Sequence, residues 1–523
     1  SAKDVTLKVR GTDLTAKETL DGKEYYVIKG DDIDHVTAQA GPNFAHNKGG
    51  SFDLDIRYAV TDYSNDGKVD PVTVVKETTY SVGVTPVTDQ VSVETGKTVT
   101  VGEGGKAELP ISNNGDVSTI TLDLTQTLGA EKGDYDGSEQ LTQVIVSGLP
   151  VGMLVTDLTK DGEVIGSATM LSEGKWLIQV KEGVVFNDKD GFSVDLSFKA
   201  GPHLTDAESQ VTVTVVTQDT GATNTESDSI TLTVKPTITI GGGPGNVDSV
   251  DISFEATDFK GTEDTTFKLS EVVTATLNTQ ANFSVVIKLP EGATIKQGGT
   301  ELTSIKVGED EIWVISGTGG QGELDALLSK LEVTPPKDWN SEVKDDLPID
   351  ITFNAYLDNG STSSKETDDG LPVVITPETD TLDVSVAFEN AQEGENIGIN
   401  ITLANKVDAE TTLVDGSTQI KLTGDYTKGQ LFYVDTKQIE HELSLNSDGT
   451  YSIPIEAGTT IANNGELTLN LVYKPSAEEM YQGGNSFDVV VSVQNQENGS
   501  TKTEVSTGGN QTNVAVVNND YDI

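Results

Sequence analysis

Cysteine is absent from all 523 residues, which excludes disulfides and thiolate metal sites. Basic side chains are scarce: 34 Lys and Arg face 84 Asp and Glu, for a formal net charge of −50. Phosphate contacts need Lys and Arg, so nucleic acid is excluded as a partner. Anionic membrane surfaces are disfavoured for the same reason. No apolar run approaches eighteen residues, so no membrane insertion is expected, and no signal peptide or lipidation motif is found. The start, SAKDVTLKV, reads as a piece of something longer. Histidine is rare too. His35, His46, His203 and His441 form no H-E-x-x-H and no pair at ligand spacing, and neither a G-x-S-x-G elbow nor a P-loop occurs. Paired carboxylates are so common that adjacency nominates no glycosidase pair. The expectation is a protein that is not an enzyme.

What the chain does have is alternation. Only 35% of it is hydrophobic, but Val, Ile, Leu and Phe fall in period-two runs bounded by Gly, Asp and Asn. Four such runs match one another: Phe52–Tyr58, Phe192–Phe198, Leu347–Phe353 and Phe487–Val493, about 140 to 155 residues apart. Each is followed by a polar loop and a closing strand: TTYSVGVTP, SITLTVKPT, LPVVITPET and TNVAVVNND. Pro86, Pro236 and Pro377 stand where a strand leaves its sheet, because proline cannot donate to a ladder. Gly148-Leu149-Pro150-Val151-Gly152 is matched by Lys288-Leu289-Pro290-Glu291-Gly292. Trp176, Trp313 and Tyr451 hold one relative place and read as core anchors. The fold class is therefore all-β: tandem immunoglobulin-like or cadherin-like β-sandwich modules in an elongated array. The modules are 90–236, 237–378 and 379–523. They follow a partial or split module at 1–89, which matches only the later part of the others.

One stretch points elsewhere. IWVISGTGGQGELDALL, 312–328, carries G-x-G-x-x-G at Gly317, Gly319 and Gly322 after an apolar run, with Asp338 further on, like a dinucleotide fingerprint. The other modules keep the strand and turn there but lack the glycines, and a lone match is weak among 53 glycines. GELDALLSKL is expected to form one or two helical turns that tuck Leu324, Leu327, Leu328 and Leu331 against a sandwich. No cofactor site is expected.

The surplus acids have two readings. One is a solvated surface suited to solubility or high salt. The other is a set of calcium ligands, since Ca²⁺ takes six to eight oxygens and a chain without disulfides gains from a metal staple. Acids recur at matching places. Near module starts lie Glu263 and Asp264, and Glu393 and Glu395; Asp134, Asp136 and Glu139 sit a little further into the second module. After the shared strand come Asp62 with Asp66, Asp206 with Glu208, and Asp358; at the exits stand Asp89, Asp380 and Asp520. Exit acid, loop and neighbouring module could converge on one ion.

The G-T-E-D-T-x-F stretch at 261–267, the D-G-S-E-x-L and G-L-P-x-G pair, and the W-V-I…L-x-V-T-P-P run at 313–336 resemble modules of repeats-in-toxin (RTX) adhesins of Gram-negative bacteria. The resemblance covers the last 430 residues or so. It implies an immunoglobulin-like rod exported by type I secretion, held at the bacterial cell surface and stiffened by calcium between neighbouring modules. It also implies a role as extender or ligand-presenting region in attachment or biofilm formation, with a peptide or glycan on a host cell, biofilm or other surface as partner. A split module interrupted by an inserted lectin domain occurs in that family and would account for 1–89. The family's glycine-rich nonapeptide repeats and C-terminal secretion signal are absent. The chain is expected to be monomeric, and residues 150–190 are the first candidate for ligand contact. Two alternatives stay open: a surface-layer structural protein, and a non-catalytic carbohydrate-binding region of a secreted enzyme using Trp176, Trp313 or Trp339.

Overall fold

A computed structural model describes residues 5–515 apart from 16, 21, 29, 41–49, 63–71, 97–99, 102–106, 116, 129–130, 133–137, 186–191, 206, 239–247, 343, 368–369, 390, 407–408 and 481–483. The fold is all-β, with short helices only. The chain forms two compact units: Ser1–Ile252 with Ala281–Ser284 and Asn354–Ser364, and the remainder, Ser253–Gln280, Val285–Phe353 and Lys365–Ile523.

In the first unit, Val117–Leu128, Phe192–Ala200 and Met153–Lys160 lie side by side, and Glu139–Ser147, Ser209–Asp219, Glu226–Thr237 and Ala107–Ser112 form a second run of neighbours. Glu163–Ser172 pairs with Met153–Lys160 through its first half and with Lys175–Gln179 through its second, so one strand turns the corner between them. Alternation sets the core. Val211, Val213 and Val215 are fully buried while the threonines between them are not. They meet Leu122, Leu158, Leu196 and Phe198, and Trp176 packs edge-on to Tyr356 at 4.9 Å. Residues 153–180 belong to this sandwich, with Leu158, Met170 and Trp176 buried in it.

Residues 5–87 are built differently. They give a three-stranded sheet from Val5–Val9, Thr12–Asp13 and Val36–Ala40, a small hairpin at Lys17–Leu20 and Lys23–Tyr26, and a long hairpin at Ser51–Asp62 and Val72–Gly83. Among the described residues, none before Thr88 is buried.

In the second unit, Asp383–Glu389, Ile397–Ala404, Glu466–Lys474 and Gln430–Val434 form one sheet of a sandwich. Gln419–Gly424, Ser486–Glu497 and Glu504–Asn513 lie in the other. Tyr473 stacks on Phe487 at 5.0 Å in the core between them. The glycine-rich stretch resolves as the strand Asp310–Gly319, the helix Gln321–Leu328 and the strand Leu331–Thr334. The third pairs antiparallel with Phe267–Lys268 and Thr294–Gln297 in a sheet separate from the first, so no parallel strand-helix-strand unit exists. Leu324, Leu328 and Leu331 are buried and Leu327 is half-buried.

One alignment drawn from the sequence is corrected. Ser209–Asp219, and not Phe192–Ala200, occupies the place of Ser486–Glu497: each lies between the last strand of its sandwich and a strand from the front half. Both candidates alternate with period two, so periodicity could not separate them. The matched proline turns do agree. Met153 N–H donates to Pro150 O and Ala293 N–H to Pro290 O, with Gly152 and Gly292 both at φ 90°, the left-handed position a type II turn demands.

Candidate metal centre

The strand Lys260–Thr262 runs parallel to Val374–Thr376 and delivers Glu263 and Asp264 beside the segment that follows Pro377. Glu263 N–H donates to Thr376 O at 3.0 Å, and its carboxylate accepts from Glu378 N–H and from Asn340 Nδ2 at 3.2 Å. Glu263 is 1% exposed. Asp264 and Asp338 both hold left-handed backbone, φ 55° and 54°, and Asp338 N–H donates to Asp264 Oδ1. Non-glycine residues at such angles are uncommon and mark positions fixed by their surroundings.

Glu497 ends its strand at the same place. Thr379 Oγ1 donates to Lys502 O at 2.8 Å and accepts from Glu497 N–H at 3.0 Å, while Asn495 Nδ2 holds Asp380 O. Carboxylate oxygens of Glu263, Asp380 and Glu497 lie within 4.8 Å of one another, as do those of Asp264, Asp338 and Asp380. Asp380 belongs to both groups, so five carboxylates form one continuous patch. Lys337 Nζ lies 3.5 Å from Asp338 Oδ2, and Asp338, followed by Asp264 and Asp380, keeps its ammonium above the ordinary lysine range.

The first unit repeats the device. Thr88 Oγ1 donates to Asn224 O at 2.7 Å and accepts from Asp219 N–H at 3.0 Å, as Thr379 does with Glu497. Asp89 and Asp219 are buried, and Glu139 stands directly across the ladder from Asp219 at 2% exposure. Burial, then the charges of Asp89 and Asp219, push the Glu139 carboxyl up to about 7, against a smaller opposing effect of the Ser138 hydroxyl.

Of the acids singled out in the sequence, Glu263, Asp264 and Asp380 meet in one group and Asp89 and Glu139 in the other. Asp358 is exposed near Asp248, whose carbonyl accepts from Asn359 Nδ2 at 2.8 Å. Glu393 is half-buried near Tyr426, and Glu395 is exposed in the turn after Gln392. Asp66, Asp134, Asp136, Asp206 and Asp520 lie outside the described residues, as does the side chain of Asp62.

The acids the sequence reading missed are Asp219, Glu497 and, as a ligand, Asp338. A signal for the first two existed. Asp219-Thr220-Gly221, Asp358-Asn359-Gly360 and Glu497-Asn498-Gly499 are one acid-x-Gly turn, with the three glycines at φ 86°, 87° and 86°. Misplacing the strand before Asp219 hid that match. The tryptophans proposed as sugar platforms are otherwise occupied: Trp176 and Trp313 are buried, and half-buried Trp339 donates through Nε1 to Asp345 O at 3.2 Å.

No family model matches the chain, and no curated protein matches it. Among solved structures it is similar to a putative membrane-anchored protein of Corynebacterium diphtheriae (10% identity, 89% of this chain and 97% of that one, TM-score 0.17). It is also similar to the major pilin subunit BcpA of Bacillus cereus (10%, 61% and 77%, TM-score 0.20), and to InvD of Yersinia pseudotuberculosis (12%, 78% and 96%, TM-score 0.19). Among the described residues no helix is long and apolar enough to cross a membrane.

Proposed function

We propose that the chain is a calcium-stiffened segment of a bacterial cell-surface adhesin, serving as an extender or ligand-presenting region in attachment or biofilm formation. The observation that carries this reading is the convergence on Asp380 of acids from the 263–264 loop, from Asp338 and from the turn at Glu497. The donor set fits a hard cation: every ligand is a carboxylate oxygen, and Asp338 Oδ1 is buried with no hydrogen-bond partner among the described residues. Glu263, Asp380 and Glu497 would hold one ion, and Asp264, Asp338 and the shared Asp380 a second. Calcium would supply the positive charge that lets five acids sit together and would tie the segment after Pro377 to both of its flanks.

The test is thermal unfolding in millimolar calcium, in magnesium and in excess chelator. Calcium at a hundred times its dissociation constant adds about 2.7 kcal/mol per site, which raises the melting temperature of a domain this size by roughly 5–10 °C. Asp380→Asn should remove most of that rise. Equal melting in calcium and chelator would reduce the acids to solvated surface and end the reading. A response to magnesium alone would replace the ion.

A further inference from the structure

Asparagine is followed by glycine four times, at Asn114, Asn359, Asn464 and Asn498. Such a step is chemically labile, because glycine has no side chain to keep its amide nitrogen away from the asparagine carboxamide. Attack requires the peptide between the two residues to rotate, so a hydrogen bond from the glycine N–H restrains it. Three of the four steps are restrained in this way. Gly115 N–H donates to Ala200 O at 3.1 Å, Gly360 N–H to Leu357 O at 3.0 Å and Gly465 N–H to Ala462 O at 2.8 Å. The Asn359 carboxamide is held at both ends as well, by Asp248 O and by Ser361 N–H.

Asn498 differs. It is exposed in the turn 497–500, which Ser500 N–H closes by donating to Glu497 O at 3.1 Å. Its own N–H donates to Glu410 O at 2.9 Å. Beyond that bond, the Asn498 carbonyl, the Asn498 carboxamide and the Gly499 N–H have no hydrogen bond among the described residues. Glycine is required here: Gly499 sits at φ 86°, and a Cβ would stand 2.9 Å from Pro377 Cγ. Asparagine is not. The matching turn of the first unit, closed by Ala222 N–H donating to Asp219 O at 3.0 Å, carries Thr220 in its place.

We propose that Asn498 is a self-modification site, losing its carboxamide to the Gly499 amide nitrogen and so altering the candidate cation site at Glu497. The Gly499 nitrogen bonds to Asn498 Cγ and gives its proton, through water, to Nδ2; the Cγ–Nδ2 bond breaks and ammonia leaves a five-membered succinimide. Water then opens either carbonyl of that ring. One opening gives aspartate and the other isoaspartate, whose main chain is one carbon longer; nothing is oxidised or reduced. Both products add a negative charge one residue from Glu497, and isoaspartate lengthens a turn whose Gly499 fits closely against Pro377. The effect on a cation rests on the metal reading above, whereas the conversion does not.

Peptide mapping by mass spectrometry tests this on the whole chain, fresh and after weeks in warm neutral buffer. Asn498 should convert tenfold or more faster than Asn114, Asn359 and Asn464, with isoaspartate in the product, and in urea the four rates should converge. Asn498→Thr should abolish conversion at this turn and leave the melting of fresh protein unchanged. Melting scans with calcium and with chelator supply the second readout: the calcium-dependent rise should shrink as the natural chain ages and hold in Asn498→Thr. Conversion at Asn498 no faster than at the other three, or aspartate without isoaspartate, would overturn the site. An unchanged rise in fully converted chain would overturn its effect on the cation. No rise in fresh protein would end the metal reading and that effect with it, while the mass measurement still decides the conversion.

Discussion

Two buried glutamates respond to pH in opposite senses. Glu139 has its folded pKa raised to about 7, so without a bound cation the folded first unit holds a proton that the unfolded chain releases near 4.5. Its stability must fall as pH rises from about 4.5 to about 7, by on the order of 3 kcal/mol. Glu139→Gln should flatten that slope in chelator-treated protein followed by urea unfolding. Glu479, 2% exposed, differs: burial pushes its carboxyl up, but the N–H groups of Lys428 and Ser476 and the Tyr473 hydroxyl outweigh that and hold it below the usual range. Its contribution is full above about pH 4.5 and is lost as pH drops through the folded value. Glu479→Ala leaves the amides of Thr427, Lys428 and Ser476 without their acceptor and should cost the second unit about 3 kcal/mol at pH 7. Neither role was legible in the sequence. In the sequence Glu139 stands out only as one of the recurring acids of its module and Glu479 not at all, because burial and ladder register decide both.

At the level of elements, the helix Gln321–Leu328 offers a direct check on the glycine motif. A Cβ at Gly322 meets nothing within 4 Å, and its backbone is helical. Gly322→Ala should therefore stabilise the second unit by roughly 0.5–1 kcal/mol in denaturant titration, whereas Leu324→Ala, at a fully buried position, should cost about 2–4 kcal/mol. A fingerprint glycine that bound phosphate would show the reverse ranking in function. Strand existence, the helix and the aromatic anchors were legible because period and composition are local. The pairing of strands was not. Phe192–Ala200 and Ser209–Asp219 have the same alternation, and only the acid-x-Gly turn after the second tells which one faces the front half. That misstep is why Asp219 and Glu497 escaped while Asp89 and Asp380, placed by Pro86 and Pro377, did not.

For the whole molecule the governing quantity is a net charge of −50. Self-repulsion falls with screening, so the chelated protein should melt higher in 0.5 M than in 0.02 M sodium chloride, and calcium should shrink that difference because bound ions neutralise the densest patch. A calorimetric scan at both salts, with and without calcium, reads it. One pairing described above has a mechanical side. Ala107–Ser112 runs parallel to Leu232–Thr237, and Lys260–Thr262 runs parallel to Val374–Thr376. Opposed pulling on the start of one strand and the end of its parallel neighbour slides the two past each other, so the hydrogen bonds between them share the tension and must break together. An antiparallel hairpin pulled at its open end peels one bond at a time. A tether assembled from the first kind of joint yields in abrupt, high-force steps and holds its length until each step arrives.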